Sequence, residues 1–174
     1  MGSFMGQLVR SIHDVTIQYC GNVAQLDTRP LTNAALKGIL GAYTHQPVNY
    51  VSAPAIAKDK GIDVHEVLNE SKDDFAGSIR ILFEEREDGP NQIWGTIFGN
   101  KYPRIVRLGN IYMDAIPQGY MIIVRNTDKP GVIGNLGTTL GKHNLNIGRF
   151  QLGRLRDRAT CIINIDDPAD ESVL

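Results

Sequence analysis

Cysteine is scarce in this chain, histidine is scattered, long apolar runs are missing, and neither sign of charge is in excess. Two cysteines, Cys20 and Cys161, stand far apart in strand-like stretches, TIQYCG and ATCIINI. Two thiols so dispersed make neither a disulfide framework nor a zinc site. Both read as small buried hydrophobes in a reducing compartment, which points to the cytoplasm. His13, His45, His65 and His143 have no His, Cys or Glu partner at ligand spacing, so no metal centre is expected. A net charge of −1 gives no reason to expect a phosphate-backbone binder, because counterion release needs many clustered cations, and no nucleic-acid partner is expected. No apolar run approaches the roughly 18 residues of a membrane helix, so no membrane partner is expected either. The opening MGSFMGQLVRSIHD lacks the basic start and apolar core of a signal peptide. It reads as a helix cut open at its beginning.

What remains is a chain of 174 residues, 42% hydrophobic, enough for one ordinary domain or two small ones. Val15, Ile17 and Tyr19 alternate in DVTIQYCG, which predicts a half-buried strand. TRPLTNAALKGILGAY follows as a helix with Leu31, Ala34, Ala35 and Leu36 at helical spacing. A second helix is predicted from Ala55 to Lys60, stopped by Gly61. DVHEVLNESKDD reads as a strand start and a turn, and GSIRILFEERE as a strand with Ile79, Ile81 and Phe83 on one face. Glu84 to Asp88 read as a solvated strand end and turn. Asp88–Asn91 is a strong turn signal, QIWGTIFGN resumes as a strand, and Gly109-Asn110 turns a further hairpin. The first region is thus β, α, α and then several antiparallel strands.

A second region opens with YMIIVRN, followed by a helix from Pro130 to about His143. The turn Asn144-Leu145-Asn146 leads to the strands IGRFQLGRL and RATCIINID, and ADESVL opens like another helix. The order β-α-β-β-(α) fits a ferredoxin-like unit lacking its last helix and strand. Such a unit would leave Tyr120–Asn126 as an exposed sheet edge.

Catalytic patterns are missing. There is no Gly-x-Ser-x-Gly elbow. GTTLGKH fails as a phosphate loop, with Leu136 where a Gly is needed and His143 after the Lys. Gly134, Gly137 and Gly141 read as small helix positions that allow close approach to a sheet or to a symmetry mate. Lys101, Arg104 and Arg107 alternate poorly with their apolar neighbours and read either as a solvated sheet face or as a small-anion site.

The helix start VRNTDKPG carries the most chemistry. Pro130 at the first helical position wastes no donor, while Gly131, Val132 and Ile133 offer N–H groups at the positive end of the helix dipole. A carboxylate is welcome there. Asp128, a natural N-cap, and Asn126 offer oxygens to an ammonium. From these residues alone, a well-capped helix and an amino-acid site both stand.

Taken together, NYVSAPAIAKDKGI, WGTIFGNKYPRIVRLGNIYMDAIPQGYMIIVRN and TDKPGVIGNLGTTLGKHNLNIGRFQLGR resemble the C-terminal regulatory half of long-form D-3-phosphoglycerate dehydrogenases. The resemblance runs from about Val15 to Asp167. It implies an α+β chain with two parts. Residues 1–117 would be an antiparallel-sheet intervening domain, termed allosteric substrate-binding, and 118–174 an ACT domain truncated at its C-terminus. It further implies that L-serine binds between two ACT domains, at Asn126, Asp128 and the N–H groups near Gly131, Val132 and Ile133. Asn146 would come from the second copy, and serine would slow the first step of its own biosynthesis. An anion role would fall to Lys101, Arg104 and Arg107. The catalytic and NAD-binding domains of the parent enzyme would be partners outside this chain, which as a fragment would be inactive alone and hold no cofactor. Two other readings stand beside it, a regulatory chain of iron–sulfur L-serine dehydratase and a dimerisation module without ligand. The dehydratase family's Ser-His-Thr motif does not occur here.

Overall fold

The computed structural model describes residues 1–44, 46–71, 74–84, 90–170 and 173. Its helices are α1 (Gly2–Leu8), α2 (Arg29–Thr44), α3 (Ala53–Asp59) and α4 (Val132–Lys142). The strands are β1 (Asp14–Gly21), β2 (Asp63–Asn69), β3 (Gly77–Phe83), β4 (Gln92–Phe98), β5 (Tyr102–Leu108), β6 (Ile111–Ala115), β7 (Tyr120–Thr127), β8 (Ile147–Leu155) and β9 (Arg158–Ile165). The larger sheet has the order β2-β1-β3-β4-β5-β6 and the smaller one β7-β9-β8. The α+β class is as the sequence predicts. Internal contacts divide the chain into Met1–Asn110 and Ile111–Leu174. Among the described residues, no helix is long and apolar enough to cross a membrane.

In the first unit, alternation on β1 buries Val15, Ile17 and Tyr19 completely, together with Ile81, Ile93 and Ile105 of the neighbouring strands. α2 covers them with Thr32, Leu36, Ile39 and Leu40, whereas Ala34 is exposed, so the buried stripe is rotated from the expected one. α1 lies against α2 so closely that a Cβ at Gly6 would strike the Ile39 carbonyl. That approach is what glycine permits.

Two expectations are corrected here. α3 starts at Ala53 rather than Ala55, because Asn49 Oδ1 accepts the N–H groups of Val51 (2.9 Å) and Ser52 (2.8 Å) and coils the chain early. DVHEVLN is a full strand, and β2 pairs with β1 in parallel rather than antiparallel. A parallel neighbour needs a crossover of a dozen or more residues, which α2 and α3 supply. β2 is an edge strand, mostly exposed, which explains its polar sequence. The predicted turn at Asp88–Asn91 and the acidic strand end fall largely outside the described residues.

In the second unit, one face of the small sheet meets α4 through Ile122, Cys161, Ile163, Ile165, Leu140 and Leu145. On the other face, Asn164 Nδ2 donates to the carbonyls of Ile116 (3.1 Å) and Gln118 (2.7 Å). β7 and β8 form the two ends of the strand order, so β7 is a sheet edge as expected. The predicted helix opening at ADESVL lies mostly outside the described residues.

Candidate functional site

α4 starts later than the sequence suggests. Its N-cap is Gly131, held at φ 91°, and Pro130 stands outside the helix. Only glycine takes that backbone conformation without strain, so the Pro-Gly pair acts as a turn and not as a first helical residue. The Gly131 carbonyl receives the first helical bond, from Asn135 N–H at 2.9 Å. Among the described residues, no side chain caps this helix. The N–H groups of its first turn therefore remain orphan donors at the positive end of the dipole.

Asp128 does not cap. Its N–H is tied to the Asp157 carbonyl at 2.8 Å, and its carboxylate lies 3.3 Å from Arg154 Nε. Asn126 donates from Nδ2 to the Thr127 carbonyl at 2.7 Å, while its Oδ1 is buried with no hydrogen-bond partner among the described residues. An acceptor left so costs about 1–3 kcal/mol unless a donor reaches it.

These groups share a cleft of about 340 Å³ lined by Asn126, Asp128, Gly131, Ile133, Arg154 and Cys161, among others. Strand register builds its floor. Asn126 stands opposite Ala159, and Ala159 opposite Arg154, while Val124, Cys161 and Leu152 form the next row. Ala159 is 2% exposed, and its methyl leaves room above it. Burial pushes the Cys161 thiol above its ordinary range, and the Asp128 charge adds to that. The cleft thus combines orphan donors and a guanidinium for a carboxylate with two oxygens for an ammonium, over a small apolar floor.

Asn126, Asp128, Gly131, Val132 and Ile133 all line this one cleft. Asn146 does not join them. It sits beyond the other end of α4 and donates to Asp166 Oδ2 at 2.7 Å. Arg154, Ala159 and the floor position of Cys161 escape sequence reasoning. The signal was there, since Leu152 and Arg154 are two apart, as are Ala159 and Cys161, but only register puts the two pairs in one place.

In the first unit, the chain between β4 and β5 turns through Gly99 and Asn100, both at positive φ, and Lys101 leaves the turn over the Tyr102 ring. A β-bulge explains the irregular spacing of the cations. Trp94 pairs with Arg107 and Gly95 with Ile105, so one residue of β5 is skipped. Arg104 and Arg107, three apart, consequently share a face. Arg107 lies over Trp94 at 4.3 Å and donates to the Gly109 carbonyl, and Arg80, which the sequence reading missed, stacks on the same ring at 3.7 Å.

Gly134, Gly137 and Gly141 of α4 do not approach the sheet. A Cβ at any of them would meet open space, so close approach to the sheet is not the reason for these glycines. No group of His, Cys, Asp and Glu suited to a metal occurs among the described residues.

Comparison with known proteins gives two matches in order. Residues 1–109 match the family described as D-3-phosphoglycerate dehydrogenase intervening domain, and residues 120–174 match the ACT domain. The chain is 33% identical over its whole length to D-3-phosphoglycerate dehydrogenase of Synechocystis sp., covering 32% of that protein. It is 32% identical over 94% of its length to the Archaeoglobus fulgidus enzyme, again covering 32% of it. For the Bacillus subtilis enzyme the values are 31% identity, 88% of this chain and 29% of the relative. The chain therefore spans about a third of the length of these relatives.

Proposed function

The chain belongs to the D-3-phosphoglycerate dehydrogenase intervening-domain family and carries an ACT domain behind it, and from this we propose that it is the regulatory portion of such an enzyme. Residues 1–117 serve as the intervening domain and 118–174 as the ACT domain, which binds L-serine for feedback inhibition of the first step of serine biosynthesis. The observation that carries this reading is the cleft that gathers Asn126, Asp128 and the uncapped start of α4. The serine carboxylate takes the orphan N–H groups, and its ammonium takes the Asp128 carboxylate and Asn126 Oδ1. NAD and the hydride chemistry belong to domains outside this chain, which works in the cytoplasm.

A second copy completes the site in this reading and contributes its Asn146. For serine to act on a distant reaction it must bind one arrangement of the paired ACT domains better than another. Arg104 and Arg107, with Arg80 and Lys101 beside them, form an anion site in the first domain; the shared face of the bulged strand supports this.

Isothermal titration with L-serine, paired with sedimentation with and without serine, tests the proposal. Serine should release heat and favour the associated form, and Asp128→Ala should abolish the heat. No heat at millimolar serine from the unmodified chain would sink the binding claim. Serine bound to a strictly monomeric chain would sink the shared site.

A further inference from the structure

We infer that Arg154 is a direct ligand-binding residue of this cleft, and that it selects for ligands bearing a free carboxylate. The inference rests on the amino-acid-binding reading above and deepens it. Arg154 projects from β8 onto the row Asn126, Ala159, Arg154, which crosses all three strands of the small sheet. The side chain at the centre of that row is the Ala159 methyl, which lies on the floor of the cleft that Arg154 and the start of α4 also line. Arg154 lines the cleft and reaches Asp128 with Nε at 3.3 Å. Its side chain is 63% exposed, and that of Asp128 is 29% exposed.

The pairing has a consequence for the ligand. With one carboxylate and one guanidinium already in contact, an amine alone gains little by entering. It must compete with Arg154 for Asp128 and leaves the Arg154 charge with less to hold. A zwitterion resolves this. Its ammonium takes Asp128, and its carboxylate, fixed a bond away on the same α-carbon, takes over Arg154 together with the α4 N–H groups. A guanidinium offers several N–H donors in a planar fork, so it can hold a ligand carboxylate while Nε still faces Asp128. The apolar floor of Ala159, Cys161 and Leu152 then limits the side chain to a small one. The selected class is a small α-amino acid with both charged ends free.

Calorimetric titration of the full chain with L-serine and with L-serinamide, in mildly acidic buffer where both amines are protonated, tests the assignment. Serine should bind at least about tenfold more tightly than serinamide, the scale of one charge-assisted hydrogen-bond pair. In Arg154→Gln, serine should weaken by about tenfold while serinamide changes little, so that the discrimination collapses. Arg154→Lys, which keeps the charge and loses the fork, should fall between the two. Thermal melting of each variant checks that it remains folded. An Arg154→Gln chain that binds serine with unchanged affinity and unchanged preference over serinamide overturns the role of Arg154 and leaves the serine reading standing. Loss of serine binding in the unmodified chain overturns both.

Discussion

Asp128 shows how little a residue's type says about its duty. Next to a helix, an aspartate is expected to cap; here its backbone is committed to Asp157 and its carboxylate to Arg154. Asp128→Asn should therefore change stability by less than about 1 kcal/mol, the usual worth of a half-exposed ion pair, while weakening serine tenfold or more. Melting curves and titration on the same sample separate the two effects. Tyr19 is the converse case, buried for stability alone, with its hydroxyl 2.7 Å from Thr32 Oγ1. Tyr19→Phe should cost about 1 kcal/mol in denaturant unfolding. Burial raises the pKa of Tyr19 and, with the Asp128 charge as a smaller cause, that of Cys161. Both are neutral acids held protonated in the folded chain. Their stabilising contribution is complete below the ordinary values of 9.0 for the thiol and 10.0 for the phenol, and is lost as pH rises through the higher folded values. Melting temperature should accordingly fall above about pH 9, and Cys161→Ala should flatten that fall in the second unit.

At the scale of elements, glycines divide by what surrounds them. A Cβ at Gly153 would collide with Ile111 and stand 3.0 Å from the Tyr112 carbonyl. Gly153→Ala should destabilise the second unit by about 1–3 kcal/mol, as overpacking does. Gly137 on α4 has open space in front of it, so Gly137→Ala should stabilise the single chain by up to about 1 kcal/mol through helix propensity. The pair of melts is the check, and sedimentation of Gly137→Ala reads whether a second copy uses that bare surface. Apart from β2, whose exposed edge position leaves a polar sequence without alternation, the strands and helices themselves were legible in the sequence because their periods are local. The starts of α3 and α4 were not, since an Asn49 side chain and a glycine at φ 91° decide them.

For the whole molecule, the division into Met1–Asn110 and Ile111–Leu174 bears on how ligand energy is distributed. Serine at a hundred times its dissociation constant adds about 2.7 kcal/mol to the unit that binds it. Hydrogen exchange should show that protection in β7, β9 and the start of α4, and β1 to β3 should stay unchanged. Equal protection in both units would mean that they respond as one body. If Arg104 and Arg107 hold an anion as proposed, sulfate or phosphate should protect the first unit and serine should not.

The sequence by itself determined the order of elements, the half-buried alternation of β1 and β3, the turn at Gly109 and the polar groups at the α4 start. Each depends on residues a few positions apart, within reach of periodicity and turn chemistry. Only the tertiary structure decided the parallel β1–β2 pairing, the bulge that turns Arg104 and Arg107 to one side, and the arrival of Arg154 beside Asp128. Those features depend on strand register, and register couples residues tens of positions apart through backbone hydrogen bonds that every sequence can make. Side-chain type fixes what a residue can do. Register fixes which other residue it does it with.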